Sequence, residues 1–334
     1  VSNAGQPRFS GEGFLLACQE MQPEAQVARQ PTPPTSPRRM RRIALWLAIA
    51  TVFSTFWAGV GAWVPTAPIM HALDSGSLMP IRQALLANWW EGLQFSLGLM
   101  AILVAHELGH YVLTLVYRVP STPPLFIPFP FLSPIGTMGA VIMMQSGTAD
   151  RKQIFDIGLA GPLAGLVVAL PVLILGIVWA DPVPLAPDEA LVMGQPLLIQ
   201  WLAGWLMPDK ASEFVSMANT QASPLLMAGW VGLLVTGLNM MPLGQLDGGH
   251  VAFGLLGPKS YWVAIAAFSA ALGYMLYSQI MIFSLMLVLV LLMGLRHPPS
   301  SDDTRALGIP RQIIGWLSLV LPLLCIPANP LSPI

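Results

Sequence analysis

The chain alternates long apolar runs with short polar breaks, and the length of those runs sets the first expectation. A helix that crosses a bilayer needs about 20 mostly apolar residues. Seven stretches reach or approach that length: 43–64, 92–119, 154–180, 224–241, 260–277, 280–295 and 311–327. The pattern predicts an all-α polytopic membrane protein of about seven transmembrane helices. The fifth and sixth runs are almost continuous, Tyr277-Ser278-Gln279 being the one plausible hairpin between them, so six or eight spans stay open.

Two connections break the pattern in opposite ways. Residues 120–147 are strongly apolar but contain Pro120, Pro123, Pro124, Pro128, Pro130 and Pro134, which exclude a regular helix. Lipid does not tolerate open backbone, so this stretch is expected to be a re-entrant, β-hairpin-like segment packed on protein or lining a wet cavity. Residues 181–222 are expected to form an external loop whose Trp201 and Trp205 lie along the interface.

Composition agrees with a membrane protein. The chain has 334 residues, 55% hydrophobic and 9% charged, against roughly 25% charged in a soluble domain. A net charge of −1 leaves no basic surface for nucleic acid. The two cysteines, Cys18 and Cys325, have no metal-ligand spacing. Residues 1–42 are polar and rich in Pro, Ser and Gln, and read as a disordered cytoplasmic tail. Arg38, Arg39, Arg41 and Arg42 abut the first span and hold the N-terminus on the cytoplasmic side. Threading seven spans from there puts Arg118, Arg151, Lys152, Lys259, Arg296, Arg305 and Arg311 on that same side. The membrane domain is then 43–327 with a core at 92–257, and 328–334 is a C-terminal tail.

The second span carries the chemistry. His106-Glu107-Leu108-Gly109-His110 places two histidines four residues apart, on one helical face. Two imidazoles so spaced can bind one zinc ion while Glu107 reaches a water on it. With this composition the motif arises by chance roughly 0.002 times. At 1.5 Å per residue, His110 and His106 lie about 12 and 18 Å from Arg118 along the helix. In a hydrocarbon core about 30 Å thick, that is near the midplane, where ionisable groups are functional by default. A catalytic zinc takes three protein ligands. Asp156, at the start of the third span, is better suited to the helix N-terminus. Asp247 is the stronger candidate. Pro242, Gly244, Gly248 and Gly249 break the fourth span around it, at a depth where unwound backbone is tolerable only beside a polar cavity. A plain surface turn is the other reading of that segment. His250 reads as a rim residue, a transient ligand or an acid, and His71 and His297 as ordinary loop residues.

HELGH in one span and LDGG at the end of a later one resemble the site-2 protease family of intramembrane zinc metalloproteases (peptidase family M50). Gly161-Pro162-Leu163-Ala164-Gly165 and the FIPFPFLSPIGTMGA segment resemble the branch of bacteria and plastids that lacks a PDZ domain. The resemblance covers about residues 90–300. It implies one zinc held by His106, His110 and Asp247, with Glu107 as general base. Asn239 is implied at the substrate or oxyanion. Many members have Asn-Pro where this chain has Gly161-Pro162. The implied reaction is hydrolysis of a peptide bond within or near the transmembrane segment of a single-span substrate, in a bacterial inner membrane or a plastid membrane.

Glu107 would take the proton of water and deliver it to the leaving amine. Substrate must unwind first, and the hairpin offers an edge strand for β-addition, with Gly136 and Gly139 allowing close backbone approach. A simple cavity plug is the alternative role. Two rivals use the same residues: a transporter or ion relay built on the His/Glu/Asp cluster, and a catalytically silent scaffold.

Overall fold

The computed structural model describes residues 37–131, 133–180, 192–215, 223–279, 283–327 and 331–332. By contacts the chain divides into residues 1–40, described only over the opening turn of the first helix, and residues 41–334. Most of the expected N-terminal tail therefore lies outside the described residues.

Helix α1 spans Pro37–Val60, so Arg38, Arg39, Arg41 and Arg42 are helical. Proline suits the first helical position, and arginine is a good helix former. A short helix α2 (Ala67–Ser75) leads to α3 (Met79–Val116). With 38 residues, α3 starts 13 before the expected span at residue 92 and includes Arg82. The extra length is set off by a kink at Asn88, whose backbone is non-helical and whose Nδ2 donates to the Val60 carbonyl at 3.0 Å.

The proline-rich segment forms a hairpin of β1 (Leu125–Pro128) and β2 (Thr137–Val141), paired antiparallel with an irregularity between Phe126 and Pro128. Ser121 and Met144 continue the pairing as an isolated bridge. The hairpin tip rests on α1. Ser54 Oγ donates to the Gly136 carbonyl at 2.5 Å, and Gly136 has φ +76°. A Cβ there would lie 2.4 Å from the Ser54 carbonyl oxygen.

Helix α4 (Arg151–Val178) opens with a reciprocal cap. The Asp150 side chain accepts from Gln153 N at 2.8 Å, and the Asp150 N–H donates to the Gln153 side chain at 3.0 Å. The cap is therefore Asp150 and not Asp156. Asp156 instead accepts Nε and Nη2 of Arg311 at 2.8 and 2.9 Å, and also the Tyr117 hydroxyl.

Beyond α4, β3 (Val192–Met193) pairs with β4 (Leu331–Ser332). The expected external loop holds a ten-residue helix, α5 (Leu197–Leu206). It buries Ile199 and Ala203 and exposes Trp201 and Trp205 on the other face. After a single-turn α6 (Ala211–Val215), α7 (Pro224–Asn239) begins on a Ser223 cap and ends in an unwound stretch, 240–246. Helix α8 (Asp247–Leu256) follows at once. Arg151 donates to the carbonyls of Gly254 and Leu255 at its C-terminal end, at 2.9 and 3.1 Å, where a cation is favourable. Helices α9 (Ser260–Ser278), α10 (Ser284–Met293), α11 (Ile309–Ser318) and α12 (Leu321–Cys325) complete the chain. Phe95, Leu99 and Leu103 of α3, Leu173 and Ile177 of α4, and Leu226, Val231 and Leu233 of α7 form the buried centre.

Among the described residues, four helical stretches are long and apolar enough to cross a membrane: Arg38–Val60, Met79–Val116, Arg151–Val178 and Asp247–Ser278. The seven expected spans thus resolve into four long helices and several shorter apolar ones. The fourth run is a 16-residue helix because the chain unwinds after Asn239. The seventh is broken between α11 and α12, just before Pro322, and the sixth retains a ten-residue helix.

Candidate metal centre

Two elements converge on one point. His106 and His110 stand on one face of α3, and Asp247 opens α8. His106 Nε2 lies 3.1 Å from Asp247 Oδ2, His110 Nε2 lies 3.3 Å from the same oxygen, and the two imidazole nitrogens are 3.3 Å apart. Ligands about 2.05 Å from a tetrahedral zinc ion would be separated by roughly 3.3 Å, so the observed triangle has the right size. Both histidines are buried, and 15% of the Asp247 side chain is exposed.

The donor set also fits a cation. The Ile157 carbonyl can only accept, so the His110 Nδ1 at 2.7 Å must carry the proton. In the neutral ring this leaves His110 Nε2 with a bare lone pair aimed at the Asp247 carboxylate, the ligand-orienting arrangement of metal-bound imidazoles. Among the described residues His106 Nδ1 is buried without a partner, so none of them fixes its tautomer, and a cation on Nε2 would place the proton on Nδ1. Among the described residues, these three side chains are a group positioned to hold a metal ion, their ligand atoms all within 4.8 Å of one another.

The fold makes room for the two rings with small residues on α4. A Cβ at Gly161 would lie 1.9 Å from His110 Nε2, and one at Gly165 would press on His106 at 3.2 Å. Gly158, one turn earlier on the same face, lies under His250 and the Asp247 carbonyl. Asp247 is delivered by a comparably close fit, since a Cβ on Gly248 would lie 2.0 Å from the Met240 carbonyl oxygen. Only glycine lets α8 start against the unwound turn.

A cavity of about 610 Å³ opens beside this centre. His106, Glu107, His110 and Asp247 lie on its wall, and so do residues 140–147 of the hairpin segment. Glu107 is buried, lines the cavity and makes no hydrogen bond among the described residues. Asn239 also lines the cavity, with Nδ2 3.4 Å from His106 Nε2. Gly136 and Gly139 do not line it: Gly136 is pressed against α1, and Gly139 is an open position at φ +92°.

His250 and His297, read from the sequence as rim and loop residues, both line the cavity and pair with each other, Nδ1 to Nε2, at 2.7 Å. Phe253 stacks on the His297 ring at 4.0 Å between centroids. Burial lowers the pKa of His297 below the ordinary imidazole value, a shift opposed by its bond to the Pro298 carbonyl and by Asp303. No spacing signal joins residues 47 apart, so nothing in the sequence marks this pair. The glycines of α4 were visible at helical spacing, but their role follows only from what packs against them.

A sequence model described as Peptidase family M50 matches residues 94–277. The chain is similar to a rice protein (Oryza sativa subsp. japonica) named "Probable zinc metalloprotease EGY1, chloroplastic", 32% identical over 221 residues covering 64% of this chain and 38% of the relative. An Arabidopsis thaliana protein of the same name is 30% identical over 292 residues, covering 84% of this chain and 51% of the relative. An Arabidopsis thaliana "Probable zinc metalloprotease EGY2, chloroplastic" is 30% identical over 246 residues, covering 71% and 42%. The chain spans about half or less of the length of these curated relatives. No solved structure matches it significantly.

Proposed function

The chain belongs to peptidase family M50, and from that premise we propose that it is an intramembrane zinc endopeptidase, with His106, His110 and Asp247 as ligands of one zinc ion. The observation that carries the proposal is the triangle of Nε2, Nε2 and Oδ2 atoms at 3.1–3.3 Å, beside the Glu107 carboxylate, which has no hydrogen-bond partner among the described residues. The zinc in the relatives' names is the ion that this triangle's size and donor set favour. When bound, zinc supplies Lewis-acid polarisation of a carbonyl and a water acidic enough to act near neutral pH.

The chain's own groups do the rest. Glu107, open to the cavity, takes a proton from water and returns it to the leaving amine. The His110 Nδ1–H held by Ile157 keeps the ring in its ligand orientation. Asn239 offers an amide beside the reacting centre, where it can hold a substrate carbonyl. The hairpin supports the substrate backbone. Met143 and Gln145 use their backbone groups on the Thr122 and Pro120 side, and the Ser121–Met144 bridge turns the backbone of Met144 to the opposite edge, along the cavity. An unwound segment can add there as a strand. This favours the edge-strand role over a plug, although the close contacts of Gly136 are with α1.

The substrate is a single-span membrane protein cut within or near its span, and the medium is the lipid bilayer. The four long helices, with α7, α10 and α11–α12 as shorter crossings, make up seven passes. The arginines opening α1 support a cytoplasmic N-terminus. A bacterial inner membrane or its plastid counterpart is the setting, the latter supported by the chloroplastic relatives. The test is cleavage of purified single-span segments in proteoliposomes. Wild type is expected to cut and Glu107→Gln to be slower by about 10²–10⁴-fold with its metal retained. Metal or proton flux without cleavage would favour an ion relay instead.

A further inference from the structure

We propose that His250 is a substrate-binding residue, accepting a hydrogen bond from a backbone N–H of the extended polypeptide in the cavity, and that His297 positions it. The inference deepens the peptidase reading and rests on it.

The tautomers follow from a chain of contacts. The Pro298 carbonyl accepts, so the His297 Nδ1 at 2.6 Å carries the proton. Neutral His297 then has a bare Nε2, and the His250 Nδ1 at 2.7 Å must donate to it. Neutral His250 is left with a bare Nε2. Among the described residues that atom makes no hydrogen bond, is not one of the buried polar atoms lacking a partner, and belongs to a residue on the cavity wall. It is an oriented acceptor with nothing to accept.

An incoming strand supplies what it needs. Alternate residues of an extended chain point their N–H and C=O groups to opposite edges. A strand added to residues 140–146 has half of these groups on the hairpin and half facing away. The outer N–H groups would be buried in the cavity, where leaving one unpaired is costly. The cavity wall also includes His250, His297, Met293 and Pro299. Those last residues belong to a strap tied down by Gln245 Nε2 to the Met293 carbonyl at 3.0 Å and by Gly147 N–H to the Pro299 carbonyl at 3.1 Å. With Phe253 stacked on it, the His297 ring cannot turn freely, and so it holds His250 in a single orientation.

The test uses the full chain and a quenched-fluorescence single-span peptide that the wild type cuts. His250→Ala is expected to raise KM about three- to tenfold, with kcat within about twofold and zinc content unchanged. His250→Gln, which keeps an acceptor near the Nε2 position, is expected to restore KM to within about twofold. His297→Ala should move KM in the same direction by less. One N-methylated peptide amide should reproduce the His250→Ala defect in the wild type and add nothing in that variant. An unchanged KM in His250→Ala, a His250→Gln as impaired as His250→Ala, or loss of zinc from His250→Ala would each overturn the proposal. A wild type that cuts no single-span peptide would sink the peptidase reading and this inference together.

Discussion

Helices α4 and α9 are both apolar along nearly their whole length, yet they are built for different neighbours. Helix α4 buries a dozen residues, among them Gly158, Gly161, Gly165 and Gly176, and the space above these glycines is filled by His250, His110, His106 and Leu226. Helix α9 buries Ser260, Ala264 and Met275, and a Cβ on its Gly273 would meet nothing within 4 Å. Tyr277 near its end is 90% exposed. Lipid is as apolar as leucine and gives helices no hydrophobic reason to associate, so close packing in a membrane depends on small residues and polar contacts. Hydropathy finds both helices. What separates them is whether something occupies the space a side chain would need.

The comparison breaks most completely if the centre toward which α4 is shaped is not a metal site. Chelation, or His110→Ala, is expected to abolish cleavage altogether, and re-added zinc should restore the chelated wild type but not the variant. Residual cleavage by a metal-free preparation would contradict this. Next in size is Gly161→Ala. Its Cβ would fall 1.9 Å from His110 Nε2, so the ring must leave its position, and metal affinity should drop by about 10–100-fold, the range seen when a ligand loses its orienting support. Equilibrium zinc titration measures it.

A smaller effect is expected at Arg311, which ties α11 to α4 through two bonds to Asp156. Arg311→Ala should lower stability by about 1–3 kcal/mol, as hydrogen bonds to charged groups are lost, with zinc stoichiometry unchanged. Thermal unfolding in detergent reads the first and metal analysis the second. The smallest effect belongs to α9. Gly273→Ala has open space around it and gains helix propensity of up to about 1 kcal/mol, so stability should hold or rise slightly and cleavage stay at the wild-type rate.

The site was legible where its chemistry is local. His106, Glu107 and His110 share one helical face through spacing alone, and the breakers around Asp247 mark a turn that lipid would not tolerate without a cavity. The prolines of 120–134 excluded a helix and left a hairpin as the way to satisfy that backbone. What escaped is what depends on distant partners. Asp156 looked like a capping residue because Arg311 is 155 positions away. His297, beside two prolines, carries no sign that it meets His250. The extension of α3 back to Met79 escaped because Arg82 and Glu91 interrupt its hydrophobicity, although Asn88 absorbs the kink through Val60. Gly161 could be seen at once, but its use appears only when the His110 ring is found above it.

The central claim is that two imidazoles and one carboxylate from separate helical segments hold a single zinc ion. X-ray absorption at the zinc edge of the purified full-length chain tests it most directly. One zinc per chain with two imidazole shells, oxygen ligands near 2.0–2.2 Å and no sulfur is predicted, with occupancy lost in Asp247→Ala. A spectrum free of paired imidazoles, or one unchanged when Asp247 is removed, would contradict it.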